Sequence, residues 1–226
     1  MKVDIIRGKG HAATVRAVLG NDVILCGGYV RWMCSPSANP AKAGDIDVYT
    51  SGAAAFSQAV SDLNTLGYKP VYESPVASSF TFNAGPLEGL PKLQLIRPVN
   101  AGAIVAQGSL EEIIQSFDFT VVRIGLSDLD FAVADRDFIK DEMAKRLTIK
   151  NIHCPISTIK RIAKYTAKGY AIAPFELLKL YDNWDARSSV YKDELRQSLA
   201  EMAAATSWWS LDEDTRNRIQ TLLYQD

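Results

Sequence analysis

The sequence lacks the means to staple itself covalently. Its three cysteines, Cys26, Cys34 and Cys154, are odd in number and form no Cys-x-x-Cys pair, which argues against a disulfide framework and a zinc knuckle. A reducing compartment, the cytoplasm, is the expected setting. It also lacks an excess of either charge. The 25 Lys and Arg face 26 Asp and Glu, a net −1, so nucleic acid could be held only by a local basic face and not by bulk polycation. Long apolar runs are missing too. Residues 23–26 are strand length, far below the roughly 20 residues that cross a bilayer, and residues 1–10 carry Lys2, Asp4, Arg7 and Lys9 with no apolar stretch of signal-peptide length. No membrane partner is expected. No repeat or low-complexity tract is visible, which excludes solenoids. What remains is a 226-residue chain, 47% hydrophobic, long enough for one large domain or a medium domain with a small satellite.

Periodicity gives the organisation. Residues 13–20 read as a short helix ending at Gly20, followed by a buried strand over 23–26 that runs into a Gly27-Gly28 turn. After a Ser/Pro/Ala/Gly loop (34–44), Asp45-Ile46-Asp47-Val48-Tyr49-Thr50 alternates strictly, placing both aspartates on one face of a strand and Ile46 and Val48 on the other. Residues 53–66 have helical spacing and close at Gly67; 78–82 and 92–97 suit paired strands. Ser109 ahead of Glu111 and Glu112 starts a short helix over 111–115, and 117–124 is β-branched and aromatic enough for a strand. Residues 137–146 read as helix, 147–150 as a short strand, and most of the rest as helical, with a boundary near Asn151. The expected domains are 1–150 and 151–226.

The chemistry concentrates at two places. Two aspartates on one strand face, about 7 Å apart by strand rise, can hold a divalent metal, and Mg²⁺ prefers a few carboxylate oxygens plus waters and substrate phosphates. An ordinary solvated strand face gives the same short pattern. Upstream, Gly27 and Gly28 let backbone approach phosphate oxygens without Cβ interference, and Arg31 is placed to add a forked cation.

Taken together, Gly27-Gly28-Tyr29-Val30-Arg31, a loop, and Asp45-Ile46-Asp47-Val48-Tyr49-Thr50 resemble the head domain of the CCA-adding enzymes and bacterial poly(A) polymerases, in the polymerase β nucleotidyltransferase superfamily. That family has Gly-Gly-x-Val-Arg-Asp and then Asp-x-Asp-x-x-Thr; Trp32 stands where the family has Asp. Asp118, Phe119 and Thr120 are similar to the end of its Arg-Arg-Asp-Phe-Thr segment, without the arginines, and 155–169 is similar to the helix beginning Asp-Pro-x-Arg. The likeness covers roughly residues 22–172. It implies an α/β fold, a mixed sheet flanked by helices and followed by a small helical C-terminal region. It further implies that Asp45 and Asp47 are catalytic and bind Mg²⁺ or Mn²⁺, that Gly27 and Gly28 cradle the triphosphate of an NTP, and that Arg31 neutralises phosphate charge. The superfamily's third carboxylate falls at Gln94, whose amide can coordinate a metal but cannot accept a proton at neutral pH. Asp118 is a substitute or a structural cap.

On the helix after Pro155, Lys160, Lys164 and Lys168 recur at four-residue spacing beside Arg161, opposite a stripe of Ile156, Ile159, Ile162 and Ala163. Eight Lys and Arg face two acids between 140 and 168, a segregation that fits a solvated face or contact with nucleotide phosphates or an RNA backbone. Lys160, Arg161, Lys164 and Asp118 therefore join the expected nucleotide-binding set. His11 and His153 read as surface or cap residues. Trp184, Trp208, Trp209, Tyr181, Tyr191 and Tyr224 read as core anchors of a C-terminal bundle, or as base-stacking groups. The expected reaction is Mg²⁺-dependent transfer of a nucleoside monophosphate to an acceptor hydroxyl, an RNA 3′ end, with pyrophosphate leaving. The alternatives are a protein or small-molecule acceptor, or a degenerate module that binds nucleotide or a partner without turnover.

Overall fold

Strand-length apolar runs alternate with amphipathic helices along the chain, and they assemble as one mixed sheet with helices on both faces. The structure, a computed structural model, describes residues 1–39, 44–74, 76–98, 106–204 and 210–224. Its first half contains β1 (Lys2–Asp4), α1 (Lys9–Leu19), β2 (Ile24–Cys26), α2 (Gly28–Cys34), β3 (Ile46–Tyr49), α3 (Ala53–Thr65), β4 (Tyr72–Glu73), β5 (Ala77–Phe80) and β6 (Leu93–Ile96). Then come α4 (Leu110–Ser116), β7 (Ile124–Leu126), β8 (Phe131–Ala134), α5 (Phe138–Met143) and β9 (Arg146–Leu147). The remainder is α6 (Pro155–Thr166), β10 (Ala171–Ile172), α7 (Pro174–Ala186), α8 (Ser189–Ala204) and α9 (Glu213–Tyr224).

Among the described residues the large sheet has eight strands in the order β1-β8-β7-β2-β3-β6-β5-β4. Only β3 and β6 pair in parallel there; the other pairings are antiparallel. One face carries the main core. Ala12, Val15 and Leu19 of α1 and Phe56, Ala59 and Leu63 of α3 recur at helical spacing and pack with Leu25, Ile46, Val48, Leu93 and Leu95 from the strands. The opposite face meets α4 through Cys26, Ile113 and Ile114. Ser109 starts α4 with a reciprocal cap, its hydroxyl accepting from the Glu112 amide at 3.2 Å while the Glu112 carboxylate accepts from the Ser109 amide at 2.8 Å.

The boundary expected near Asn151 runs through shared packing. Phe119, Val121, Leu147 and Ile149 form one cluster with Tyr165, Tyr170 and Leu180, and β9 pairs with β10 in parallel.

A buried polar cluster strengthens this union. The Arg31 guanidinium on α2 donates to Glu142 Oε1 of α5 at 3.2 Å and to the Tyr170 hydroxyl at 2.7 Å. Tyr170 and Ser35 donate to the same carboxylate, and Lys145 reaches it at 3.0 Å. The side chains of Arg31 and Glu142 are 7% and 2% exposed. Burial pushes the Glu142 carboxyl up, but hydrogen bonds from Ser35 and Tyr170 and the charge of Arg31 outweigh it and hold the group below its ordinary value.

Several expectations are corrected. Residues 117–124 are not a strand: Thr120–Val122 form a 3-10 turn, because Phe119, Val121 and Val122 must point into the second cluster, and β7 starts only at Ile124. The expected turn at Gly27-Gly28 is present, and it leads from strand to helix, since α2 begins at Gly28. On α6 the stripe is shifted. Ile159 is 50% exposed, while Thr158 and Tyr165 are buried and Ile162 packs on the second cluster. Tyr181 is 64% exposed and is no core anchor; Trp184 lies partly buried beneath Lys192 and Arg196, and Arg187 lies over Tyr191. Trp208, Trp209 and the Tyr224 side chain lie outside the described residues. His11 is a stacked ring, bonded through Nδ1 to the Tyr29 hydroxyl at 2.8 Å and lying against Trp32. Trp32 is itself core and donates to the Asn39 carbonyl at 3.0 Å. Among the described residues no helix is long and apolar enough to cross a membrane.

Glu142→Ala leaves the Arg31 charge buried without its carboxylate, which should cost about 3–5 kcal/mol, whereas Tyr170→Phe should cost about 1 kcal/mol. Urea unfolding of the two variants checks this order, and near-equal losses would show that the pair is not effectively desolvated.

Candidate functional site

The site begins with Gly27. Its φ of 77° and ψ of −140° lie where a side chain is strained, so glycine is needed for the backbone itself. The Gly27 amide is already donated to the Ile124 carbonyl at 2.8 Å; the residue contributes room rather than a donor. Register does the rest. Cys26 pairs with Asp47, which brings the aspartate beside the turn: a Cβ on Gly27 would lie 3.5 Å from Asp47 Oδ2 and 3.7 Å from Phe117, and one on Gly28 would lie 3.6 Å from the Tyr165 hydroxyl. Gln94 is the register partner of Asp47 on β6. Alternation along β3 leaves Ile46 and Val48 fully buried in the main core and turns Asp45, Asp47 and Tyr49 to the other face.

These groups line a cleft of about 390 Å³. Its far wall is α6, where Ser157, Arg161, Lys164 and Tyr165 fall on one helical face, with Lys168 just beyond the helix C-terminus. Arg161 Nη1 donates to Asp118 Oδ2 at 2.8 Å, and Lys92 pairs with Asp45 at 3.2 Å. The Asp47 carboxyl is pushed up to about 7, by burial first and by the charge of Asp45 second, against the opposing pull of Lys164, Arg161 and Lys92. Burial, and then Asp47, push the Tyr49 hydroxyl and the Cys26 thiol well up, so both are neutral.

Of the residues expected from sequence, Gly27, Gly28, Asp45, Asp47, Asp118, Arg161 and Lys164 line the cleft. Two do not. Arg31 is turned away from the cleft into its pairing with Glu142 and Tyr170, and Lys160 is exposed on α6 outside the lining. The basic excess over 140–168 is partly spent internally: Lys145, Arg146, Lys150 and Arg161 form ion pairs with Glu142, Asp141, Asp137 and Asp118. Sequence reasoning missed Tyr49, Phe117, Tyr165 and His153 as cleft residues. Two carried a signal, Tyr49 through its alternation with the aspartates and Tyr165 through its four-residue spacing from Arg161. His153 had none: its ring Nε2 donates to the Ser116 carbonyl at 2.5 Å, a contact set by tertiary packing.

Two carboxylates and an amide are an oxygen-only donor set, the kind Mg²⁺ and Mn²⁺ accept. The residues fit a divalent ion. Among the described residues no group of three or more His, Cys, Asp or Glu gathers there.

The fold, a mixed sheet whose acid-bearing strand faces a glycine turn and a cationic helix, is similar to that of nucleotidyltransferase heads. Comparison with solved structures gives the particular likeness, to CCA-adding enzymes. The Thermotoga maritima CCA-adding enzyme complexed with tRNA-CCA superposes with a TM-score of 0.54 at 12% identity, over 98% of this chain and 56% of that one. The Bacillus stearothermophilus CCA-adding enzyme in complex with CTP gives 0.54 at 15%, over 85% and 48%. A tRNA-processing enzyme complex gives 0.51 at 18%, over 92% and 54%. This chain thus spans about half the length of each. No protein-family model and no curated protein matches the sequence.

A carboxyl whose folded pKa lies above its unfolded value of 3.8 keeps a proton that the unfolded chain has released. Its contribution to stability is therefore present below pH 4 and lost as pH rises through 7. Asp47→Asn should accordingly be more stable than wild type at pH 8, by about 4 kcal/mol in metal-free buffer, with the gain vanishing near pH 4. Urea titrations at several pH values measure it; a gain independent of pH would mean Asp47 is ionised throughout.

Proposed function

We propose that this chain is a nucleotidyltransferase that moves a nucleoside monophosphate from an NTP to an acceptor hydroxyl, an RNA 3′ end, and releases pyrophosphate. The observation that carries the reading is the position of Asp47, beside the Gly27 bend and across the cleft from Arg161, Lys164 and Lys168. Asp45 and Asp47 would hold Mg²⁺ or Mn²⁺, with the Gln94 amide oxygen next to them in register. The ion supplies charge neutralisation for the phosphates and lowers the pKa of a bound hydroxyl.

The chain's own groups do the positioning. Lys164 and Lys168 neutralise the triphosphate; Arg161, oriented by Asp118, adds directed donors. Gly27 and Gly28 keep the turn free of side chains where phosphate passes. Arg31 acts at a distance, by fixing α2 to α5 and to the segment after α6. Positioning and charge stabilisation account for most catalysis in phosphoryl-group chemistry. The RNA acceptor is supported by the tRNA in the complex of the Thermotoga maritima CCA-adding enzyme, whose fold this chain resembles. The three cysteines are buried as free thiols, in keeping with a reducing, cytoplasmic setting. Residues 1–150 would form the catalytic head and 151–226 a helical region whose first helix completes the cleft.

Gln94 favours a second reading, nucleotide binding without turnover, because the site has one proton acceptor fewer than a three-carboxylate centre.

Pyrophosphate release and label transfer separate the readings. With Mg²⁺ or Mn²⁺, labelled NTPs and separate RNA and protein pools, wild type should label RNA. Asp47→Ala should lose at least a thousandfold in rate while unfolding cooperatively, and Gln94→Asp should retain or raise the rate. Label on protein alone overturns the RNA acceptor. Nucleotide binding without pyrophosphate release from wild type overturns turnover.

A further inference from the structure

The sheet face that carries the acids changes character within one row. Cys26, Asp47, Gln94 and Ser79 stand in register across β2, β3, β6 and β5. Two residues further along β3, the row is Ile24 and Tyr49 on one side and Ile96 and Ala77 on the other. Phe117 rises over this junction: its ring centroid is 6.1 Å from that of Tyr49, and its edge is the group a Gly27 Cβ would meet at 3.7 Å. The cleft therefore has a cationic end at Lys164 and Lys168, an acidic centre, and an aromatic and aliphatic end at Tyr49, Phe117, Ile96 and Ala77.

An in-line displacement places the attacking and leaving oxygens on opposite sides of the transferred phosphorus. Pyrophosphate, the more highly charged partner, belongs at the cationic end. The acceptor hydroxyl must then enter from the other side, where Tyr49, Phe117, Ile96 and Ala77 offer apolar surface and the nearby lining cation, Arg97, is already paired with Glu73. Such a surface repels a phosphate by desolvation and suits a planar ring, since every nucleobase offers a π-face to an aromatic side chain.

The geometry points to Phe117 and Tyr49 as a stacking platform for the terminal nucleobase of a single-stranded RNA acceptor, with Ile96 and Ala77 as its floor. The assignment rests on the transfer reading, which decides which end receives the leaving group. It makes the terminal base, rather than the upstream backbone, the part of the acceptor that this chain feels most at its centre.

The test compares two fluorescent RNA oligonucleotides that differ only at the last nucleotide, one complete and one with an abasic ribose bearing the same hydroxyls. Anisotropy titrations with Mg²⁺ and a non-hydrolysable NTP measure affinity, and pyrophosphate release is followed separately. Wild type should bind the complete RNA about tenfold more tightly than its abasic twin. Phe117→Leu, which keeps apolar bulk but removes the ring face, should bring that ratio within twofold, and Ile96→Gln should lower it if Phe117→Leu melts early. Equal affinities in wild type, an unchanged ratio in both variants, or no RNA binding overturns the platform. A tenfold ratio without pyrophosphate release would sink the transfer reading and keep the platform as a binding site; turnover with equal affinities would do the reverse.

Discussion

The buried contact of Arg31 with Glu142 and Tyr170 is the constraint on which the cleft depends. Arg31 belongs to the helix that leaves the glycine turn, Glu142 to α5, and Tyr170 to the segment directly after α6. Removing two charges from water is costly, and separating them once buried costs several kcal/mol more. The glycine turn and the cationic helix therefore cannot drift apart without uncovering that pair. Tyr165, in edge contact with Tyr170 at 5.4 Å and over the face of Gly28, transmits the same restraint to the cleft wall. The Arg31 Nε is buried with no hydrogen-bond partner among the described residues, while the guanidinium also lies over the rings of Tyr165 and Tyr170. It is retained there by the carboxylate and hydroxyl it already has.

A strand with period-two alternation can serve two environments at once, and β3 does so. Ile46 and Val48 are fully buried against α1, α2 and α3, while the alternate positions stay in a cleft that must accept water, metal and phosphate. A slip of one residue in register would exchange the two sets, burying both aspartates in hydrocarbon. The large apolar contribution of β3 to the core thus pins the placement of the acids. Parallel pairing with β6 extends the benefit, because Gln94 arrives beside Asp47 only in the observed register.

The features legible in sequence were those governed by short-range periodicity. Alternation gave the strand of Asp45 and Asp47, the Ser109 cap gave α4, and glycine after an apolar run gave the turn. Long-range partners were not legible. Nothing local distinguishes an Arg that meets phosphate from one that meets Glu142, 111 positions away, and Arg31 was accordingly misplaced. The segment 117–124 has the composition of a strand, yet its apolar residues are claimed by a cluster built from α6 and α7, and tertiary packing overrode β propensity. On α6 the charged spacing was visible, but the buried face was chosen by Tyr165 and Thr158, so Lys160 stands outside the cleft while Lys164 and, past the helix end, Lys168 line it.

Gln94 sets the electrostatic character of the centre. Three acids and four Lys or Arg line the cleft, but Arg97 is engaged by Glu73 and Arg161 by Asp118. What faces an incoming ligand is the Asp45 and Asp47 pair against Lys164 and Lys168, with Lys92 already leaning on Asp45. A carboxylate at position 94 would add a third negative charge beside Asp47 and raise its proton affinity further. The amide avoids that repulsion while still offering an oxygen beside Asp47. The same substitution leaves the acceptor hydroxyl's proton without a carboxylate on β6. In the proposed transfer that proton would therefore pass to water or to a phosphate oxygen.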